Sequence, residues 1–157
     1  MKTLQLSGQK ARSLYKSGSK EMKELLEENF GKDFFNQDVT DRIDEWEDMM
    51  AETGRPDVPE FSDAPEDLRP YFKSVYRNVV MAEAYNGGER MDIYNSSKHR
   101  YYLWFRMSPS TFAFGGSDFV YSCAFAGSGS RLSFIRKEHA IHAGKNHTNI
   151  FREMLES

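Results

Sequence analysis

The chain has a single cysteine, few branched aliphatic residues, little proline outside one segment and no long apolar run. Cys123 has no second cysteine to pair with, so an internal disulfide framework is excluded. The opening residues MKTLQLSGQKARSLYK lack the central apolar stretch of a signal peptide. No segment approaches the roughly 20 apolar residues that cross a bilayer. A reducing, cytoplasmic setting with no membrane partner is therefore expected. The scarcity of Ile, Val and Leu shifts the burden of the core onto twelve Phe, eight Tyr, two Trp and eight Met.

A length of 157 residues suits one domain with one core, so residues 1–157 are read as a single domain. Charge is divided unevenly. Residues 1–69 carry 10 Lys and Arg against 17 Asp and Glu, a net of −7, and residues 70–157 carry 11 against 7, a net of +4. This asymmetry fits an anionic partner for the second part, or attraction between the two parts of one domain, and the latter is the expectation.

Lys2 to Leu6 reads as a short strand or arm. QKARSLYKSGSKEMKELLEENFGKDFF reads as one or two helices, with Ser17 or Ser19 as N-cap and Gly31 as the stop. Spacings of three and four place Met22, Leu25, Leu26 and Phe30 toward the core, with Glu21, Glu24, Glu27 and Glu28 in or near water. VTDRIDEWEDMMAETGRP reads as a helix capped by Thr40 and stopped at Gly54, with Ile43, Trp46, Met49 and Met50 on one stripe. Four of the five prolines then fall in residues 55–70, an internal loop. After Pro70 a helix runs to Asn86, Gly87 and Gly88, with Phe72, Val75, Tyr76, Val79, Val80 and Met81 as its apolar residues. Residues 100–135 read as an antiparallel meander, RYYLWFRM, TFAFGGSDFVYSCAFA and SRLSFI, and Arg136 to Leu155 as a closing helix. The expected fold is α+β, with N-terminal helices packed on one face of a three- to four-stranded antiparallel sheet, closed by a C-terminal helix.

Two parts of the second half resemble a family of small uncharacterised proteins encoded by bacteriophages and mobile elements of gut Bacteroidetes. The first is NGGERMDIYNSSKHRYYLWF, where Asn86, Gly88, Asp92, Asn95, Ser96, Arg100, Tyr101, Tyr102, Trp104 and Phe105 occupy the family's positions. Glu89 and Ile93 stand where that family has tryptophans, and Leu103 where it has proline. The second is GSRLSFIRKEHAIHAGK, matched at Gly129, Ser130, Arg131, Leu132, Phe134, Ala143, Gly144 and Lys145, and ENFGK and TDRI extend the likeness toward the N-terminus. The resemblance implies a phage or mobile-element origin, hence a bacterial host cytoplasm, and no particular reaction.

The stretch HAIHAGKNH, residues 139–147, holds three of the four histidines. On one continuous helix His147 points toward the core, His139 lies at the border and His142 points away, so the three do not converge as metal ligands do. Packing is the expected role. Ala143 and Gly144 are small enough to let the helix approach the sheet. Cys123 falls in a core-like row with Phe119, Tyr121 and Phe125, where burial raises a thiol's pKa and leaves it inert. GSGSRLS lacks the spacing of a phosphate loop, and pairs such as Asp44 with Asp48 or Glu24 with Glu28 suit solvated helix faces.

KHRYYLWFRM is the most suggestive segment. Alternation separates Tyr101, Leu103 and Phe105, which must cement the sheet, from Tyr102, Trp104 and Arg106, which are free to face outward. Lys98, Arg100, Tyr102, Trp104 and Arg106, with Asp92 and Asn95 upstream, form the candidate binding set. No catalytic residue, metal or cofactor is assigned. The expected function is binding to another protein or self-association, the alternative is single-stranded nucleic acid stacked on the aromatic row, and an enzyme stands third.

Overall fold

A computed structural model of the chain describes residues 6–92, 94–95, 97–120 and 131–157. Among them are six α-helices, two strands and three short 3-10 turns, an α+β arrangement. Residues 2–5 of the arm expected from Lys2 to Leu6, and Ile93, Ser96, Tyr121, Cys123, Phe125, Gly129 and Ser130, lie outside the described residues.

Two serines divide the first helical region. Ser7 accepts the Lys10 N–H and starts α1, Gly8–Ser17, and Ser19 accepts the Met22 N–H and starts α2, Lys20–Phe30. Gly31 ends α2 at φ +81°, a conformation that favours glycine. Of the four residues expected to face the core from α2, Leu26 is buried, Phe30 is half-buried, and Met22 and Leu25 are exposed. The reason is that α2 packs against α1 and the 3-10 turn Asp33–Phe35, not against the main core. There Tyr15 stacks on Phe35 at 4.1 Å, and Phe30 meets Phe34 at 4.9 Å.

The next helix begins later than the Thr40 cap implies. Asp38 accepts the Thr40 N–H and caps a 3-10 turn, Val39–Asp41, whereas the Asp48 carboxylate takes the N–H groups of Asp44 and Glu45 at 3.1 and 2.9 Å. That second cap starts α3 at Trp46–Thr53, with Gly54 in the left-handed region as its stop. On α3 Glu52 is buried and paired with both Arg12 and Arg42, which ties α1, α3 and the segment between them.

The proline-rich loop is strapped down. Tyr76 donates to the Pro56 carbonyl, Trp46 to Asp57, and Arg69 to the carbonyls of Ser62 and Ala64, while Arg55 forks onto Glu83. α4, Arg69–Tyr85, follows with Pro70 in its first turn, where no N–H is needed. Its buried side includes two polar residues that apolar spacing does not reveal, Ser74 and Asn78. Both donate hydrogen bonds, Ser74 to the Tyr71 carbonyl and the Asn78 amide N–H groups to the carbonyls of Ser74 and Ile150, although the buried Asn78 Oδ1 has no partner among the described residues. Phe72, expected inside, is exposed.

β1, Arg100–Ser108, and β2, Thr111–Val120, form an antiparallel hairpin with a bulge at Trp104/Phe105, where Gly115 is the extra residue of β2. SRLSFI contributes a single antiparallel bridge, Tyr101 to Phe134, so the described residues hold two strands and this bridge. The closing helix is two helices, α5 at Lys137–Asn146 and α6 at Thr148–Glu156, which corrects the single-helix reading. The break falls at His147, whose φ of −120° and ψ of 34° leave the helical region.

The covering layer also differs from expectation. α5 and α6 pack directly on the hairpin, α4 packs on both of them and on α3, and α1 packs on α3. The hairpin approaches α5 closely because Gly144 has no side chain: a Cβ there would lie 2.4 Å from the Phe114 ring. Phe105 meets Phe151 of α6 at 5.0 Å, and Tyr101 and Leu103 complete the inner row of β1.

Candidate functional site

Two groupings carry the polar and aromatic chemistry. One is buried and centred on Tyr85, the last residue of α4, which is 1 % exposed. Contrary to the outward fan drawn on a continuous helix, all three histidines of HAIHAGKNH converge on it. The Tyr85 hydroxyl lies 2.8 Å from His142 Nδ1 and 3.0 Å from His147 Nε2. His139 Nδ1 donates to the Tyr85 carbonyl at 2.8 Å, and its Nε2 lies 3.1 Å from an Asp38 carboxylate oxygen. His139 and His142 both stand on α5, and His147 follows at the break before α6.

Hydrogens can be assigned along the chain of contacts. Asn146 donates its amide to His142 Nε2 at 2.9 Å, so His142 Nδ1–H donates to the tyrosine oxygen, and the tyrosine O–H donates to His147 Nε2. Burial pushes the His147 imidazole down, His142 adds to this, and Asp44 and Asp48 oppose it, leaving a value of about 4. Burial, with Asp44 adding, raises the Tyr85 phenol above its ordinary value. At Asp38 burial acts upward, but the Thr40 N–H, His139 and the Thr40 hydroxyl together outweigh it and hold the carboxyl below its ordinary value. Among the described residues no group of three or more His, Cys, Asp or Glu side chains is arranged to hold a metal ion. The tyrosine oxygen sits where two imidazoles meet, and the cluster is a buried clasp between α4, the Asp38 turn and the C-terminal helices.

The second grouping is the outward face of the hairpin. Tyr102, Trp104 and Arg106 project to one side, with Tyr102 edge-on to Trp104 at 5.6 Å and Trp104 55 % exposed. Directly opposite on β2 stand Asp118, Gly116 and Ala113. Residues opposite one another across a strand pair share a face, so the tryptophan has no side chain beside it on β2.

The remaining members of the candidate set are dispersed. Arg100 is 2 % exposed and belongs to the interior. Asp92 and Lys98 are exposed and line, with His99 and Tyr101, a separate open cleft of about 240 Å³. Asp92 and Asn95 shape the loop before β1, accepting the N–H groups of Tyr94 and Ser97 at 3.1 and 3.0 Å. Tyr85 escaped the sequence reading because nothing local marks it: its histidine partners lie 54 to 62 residues away.

No helix among the described residues is long and apolar enough to cross a membrane. Comparison with known proteins finds no matching family model, no matching curated protein and no matching solved structure.

Proposed function

We propose that this is a non-enzymatic accessory protein of phage or mobile-element origin that acts by binding another protein through the outward face of the hairpin. One observation carries the reading: Tyr102, Trp104 and Arg106 stand in one row on that face, with the tryptophan uncovered opposite Gly116. Trp, Tyr and Arg are the residue types that supply most binding energy at protein interfaces, above all when neighbouring groups exclude water around them. The hairpin bears that row on a backbone already packed against α5 and α6, so little ordering is left to be done on binding.

Charge favours a protein over a nucleic acid. A strand that tracks phosphates needs several cations along it, yet Arg100 is interior and Asp118 faces Tyr102 on the same side. The non-enzymatic reading is supported by the burial of the Tyr85 cluster, whose hydroxyl is already shared by two imidazoles.

Capture of partners by the tagged chain from host cells, with and without nuclease, tests the proposal. A protein captured in both conditions, and lost with Trp104→Ala at unchanged thermal stability, is the expected result. Capture abolished by nuclease, together with binding to single-stranded oligonucleotides that weakens steeply with salt, would replace the protein reading with the nucleic-acid one.

A further inference from the structure

One recess of the molecule takes no part in the hairpin face. An open cleft of about 460 Å³ lies between the start of α3, the middle of α4 and the junction of α5 with α6. Asp44, Glu45, Trp46, Glu47, Arg77 and His147 line it, and none of them is next in the chain to an undescribed residue. Its volume falls in the range of roughly 300–1,000 Å³ typical of ligand sites.

The cleft is negative and its carboxylates lack a counter-ion. Residues 41–68 hold eleven Asp and Glu against two Arg, and both arginines are taken, Arg42 by Glu52 and Arg55 by Glu83. Arg77, on the cleft wall, gives Nη1 to both carboxylate oxygens of Glu153 at 3.2 and 2.9 Å. Among the described residues no ion pair reaches Asp44, Glu45 or Glu47. Nor do they form a group of three or more metal ligands, so an extended organic cation suits them better than a metal ion. A second feature is independent of charge. His147 is 4 % exposed and turns Nε2 inward to the Tyr85 hydroxyl, so the ring proton sits on Nδ1. No hydrogen bond among the described residues takes that N–H, yet Nδ1 is not one of the polar atoms sealed away without a partner, so it opens on the cleft that His147 lines. Such a donor calls for a carbonyl oxygen.

We infer that the cleft binds an arginine residue of a peptide, its guanidinium held by Asp44 and Glu47 and a main-chain carbonyl accepting from His147 Nδ1–H. A guanidinium presents five donors in a planar fork, which serves carboxylates that stand apart, and its methylene stem packs along the Trp46 wall. Trp46 is already fixed in place, because Asp57 takes its Nε1–H at 3.2 Å. Arg77 lies over the same indole at 5.8 Å, so the ring accepts groups of this kind. Three carboxylates repel an anion, and a cation without a carbonyl leaves the histidine N–H unmet. No described residue of the hairpin lines the cleft, so the inference stands apart from the partner-binding reading.

The full chain carrying Trp104→Phe keeps Trp46 as its one indole, so tryptophan emission reports on the cleft. Titration with N-acetylarginine methylamide at constant ionic strength and neutral pH should change that emission saturably. Asp44→Asn combined with Glu47→Gln, both at exposed positions, should raise the dissociation constant roughly tenfold or more with circular dichroism unchanged. Butylguanidinium carries the same cation on an alkyl stem and has no carbonyl, and it should bind about threefold or more weakly than the capped arginine. No saturable change up to about 10 mM capped arginine, a dissociation constant indifferent to the double substitution, or butylguanidinium bound as tightly as the capped arginine would overturn the inference.

Discussion

Replacing Tyr85 by Phe isolates the contribution of one buried hydroxyl. The ring itself stays, edge-on to Phe134 at 5.9 Å, so no cavity of consequence opens. The bonds to His142 and His147 both go. His142 is half-buried and can turn its Nδ1 toward water, but His147 is 4 % exposed and its Nε2 is left without a donor. A buried polar group stranded in this way costs about 1–3 kcal/mol. For a chain of this size each kcal/mol moves the melting midpoint by about 2–4 °C, so Tyr85→Phe should melt roughly 2–12 °C below the parent. Urea unfolding followed by circular dichroism at neutral pH should give the same loss with an unchanged m value, since the surface exposed on unfolding is nearly the same. A Phe variant as stable as the parent would refute the placement of that hydroxyl between two imidazoles.

Three further predictions follow from the same packing. His147 is held neutral to about pH 4 in the fold but titrates near 6.5 when unfolded, so the unfolded chain binds the extra proton between those values. Stability contributed by this residue is therefore complete above about pH 6.5 and falls on acidification by at most about 1.4 kcal/mol per pH unit until about pH 4; His147→Gln should flatten that part of a pH series of urea melts, and an unchanged slope would count against it. Gly144→Ala should lose about 1 kcal/mol net, because overpacking against Phe114 outweighs the helix-propensity gain, and adding Phe114→Leu should recover part of the loss in thermal melts. Glu52→Gln should cost about 3 kcal/mol in the same assay by stranding Arg12 and Arg42; a neutral effect would mean that water, not Glu52, solvates them.

What could be read in advance was what local spacing encodes. The caps at Ser19, Gly31 and Gly54, the helix from Pro70 to Asn86, the division of β1 into an inner row and an outer row, and the closeness of Gly144 to the sheet all depend on residues near one another in the chain. Misreadings arose where tertiary contacts decide. Leu25 has core spacing but α2 has no core to face, and Ser74 and Asn78 break an apolar pattern because distant carbonyls and near ones accept their hydrogens. Arg100 was grouped with Lys98 and Arg106 because charge is visible in a sequence and depth is not. The histidine cluster was missed because its centre, Tyr85, lies 54 to 62 residues away in the chain, and a screw drawn on HAIHAGKNH alone does not show what the imidazoles meet.

The clasp at Tyr85 also sets an order of events for the chain as it is made. His139 bonds Asp38 across 101 residues and Tyr85 bonds His147 across 62, so neither link can close while synthesis has only reached α4. Until residue 147 is present, the Tyr85 hydroxyl at the end of α4 has only water to bond, and Phe105 lacks the Phe151 ring that packs on it. Contacts of such long separation are slow to form because the intervening chain must first be ordered. The hairpin rests on α5 and α6, so it can be seated only after those two helices have been made.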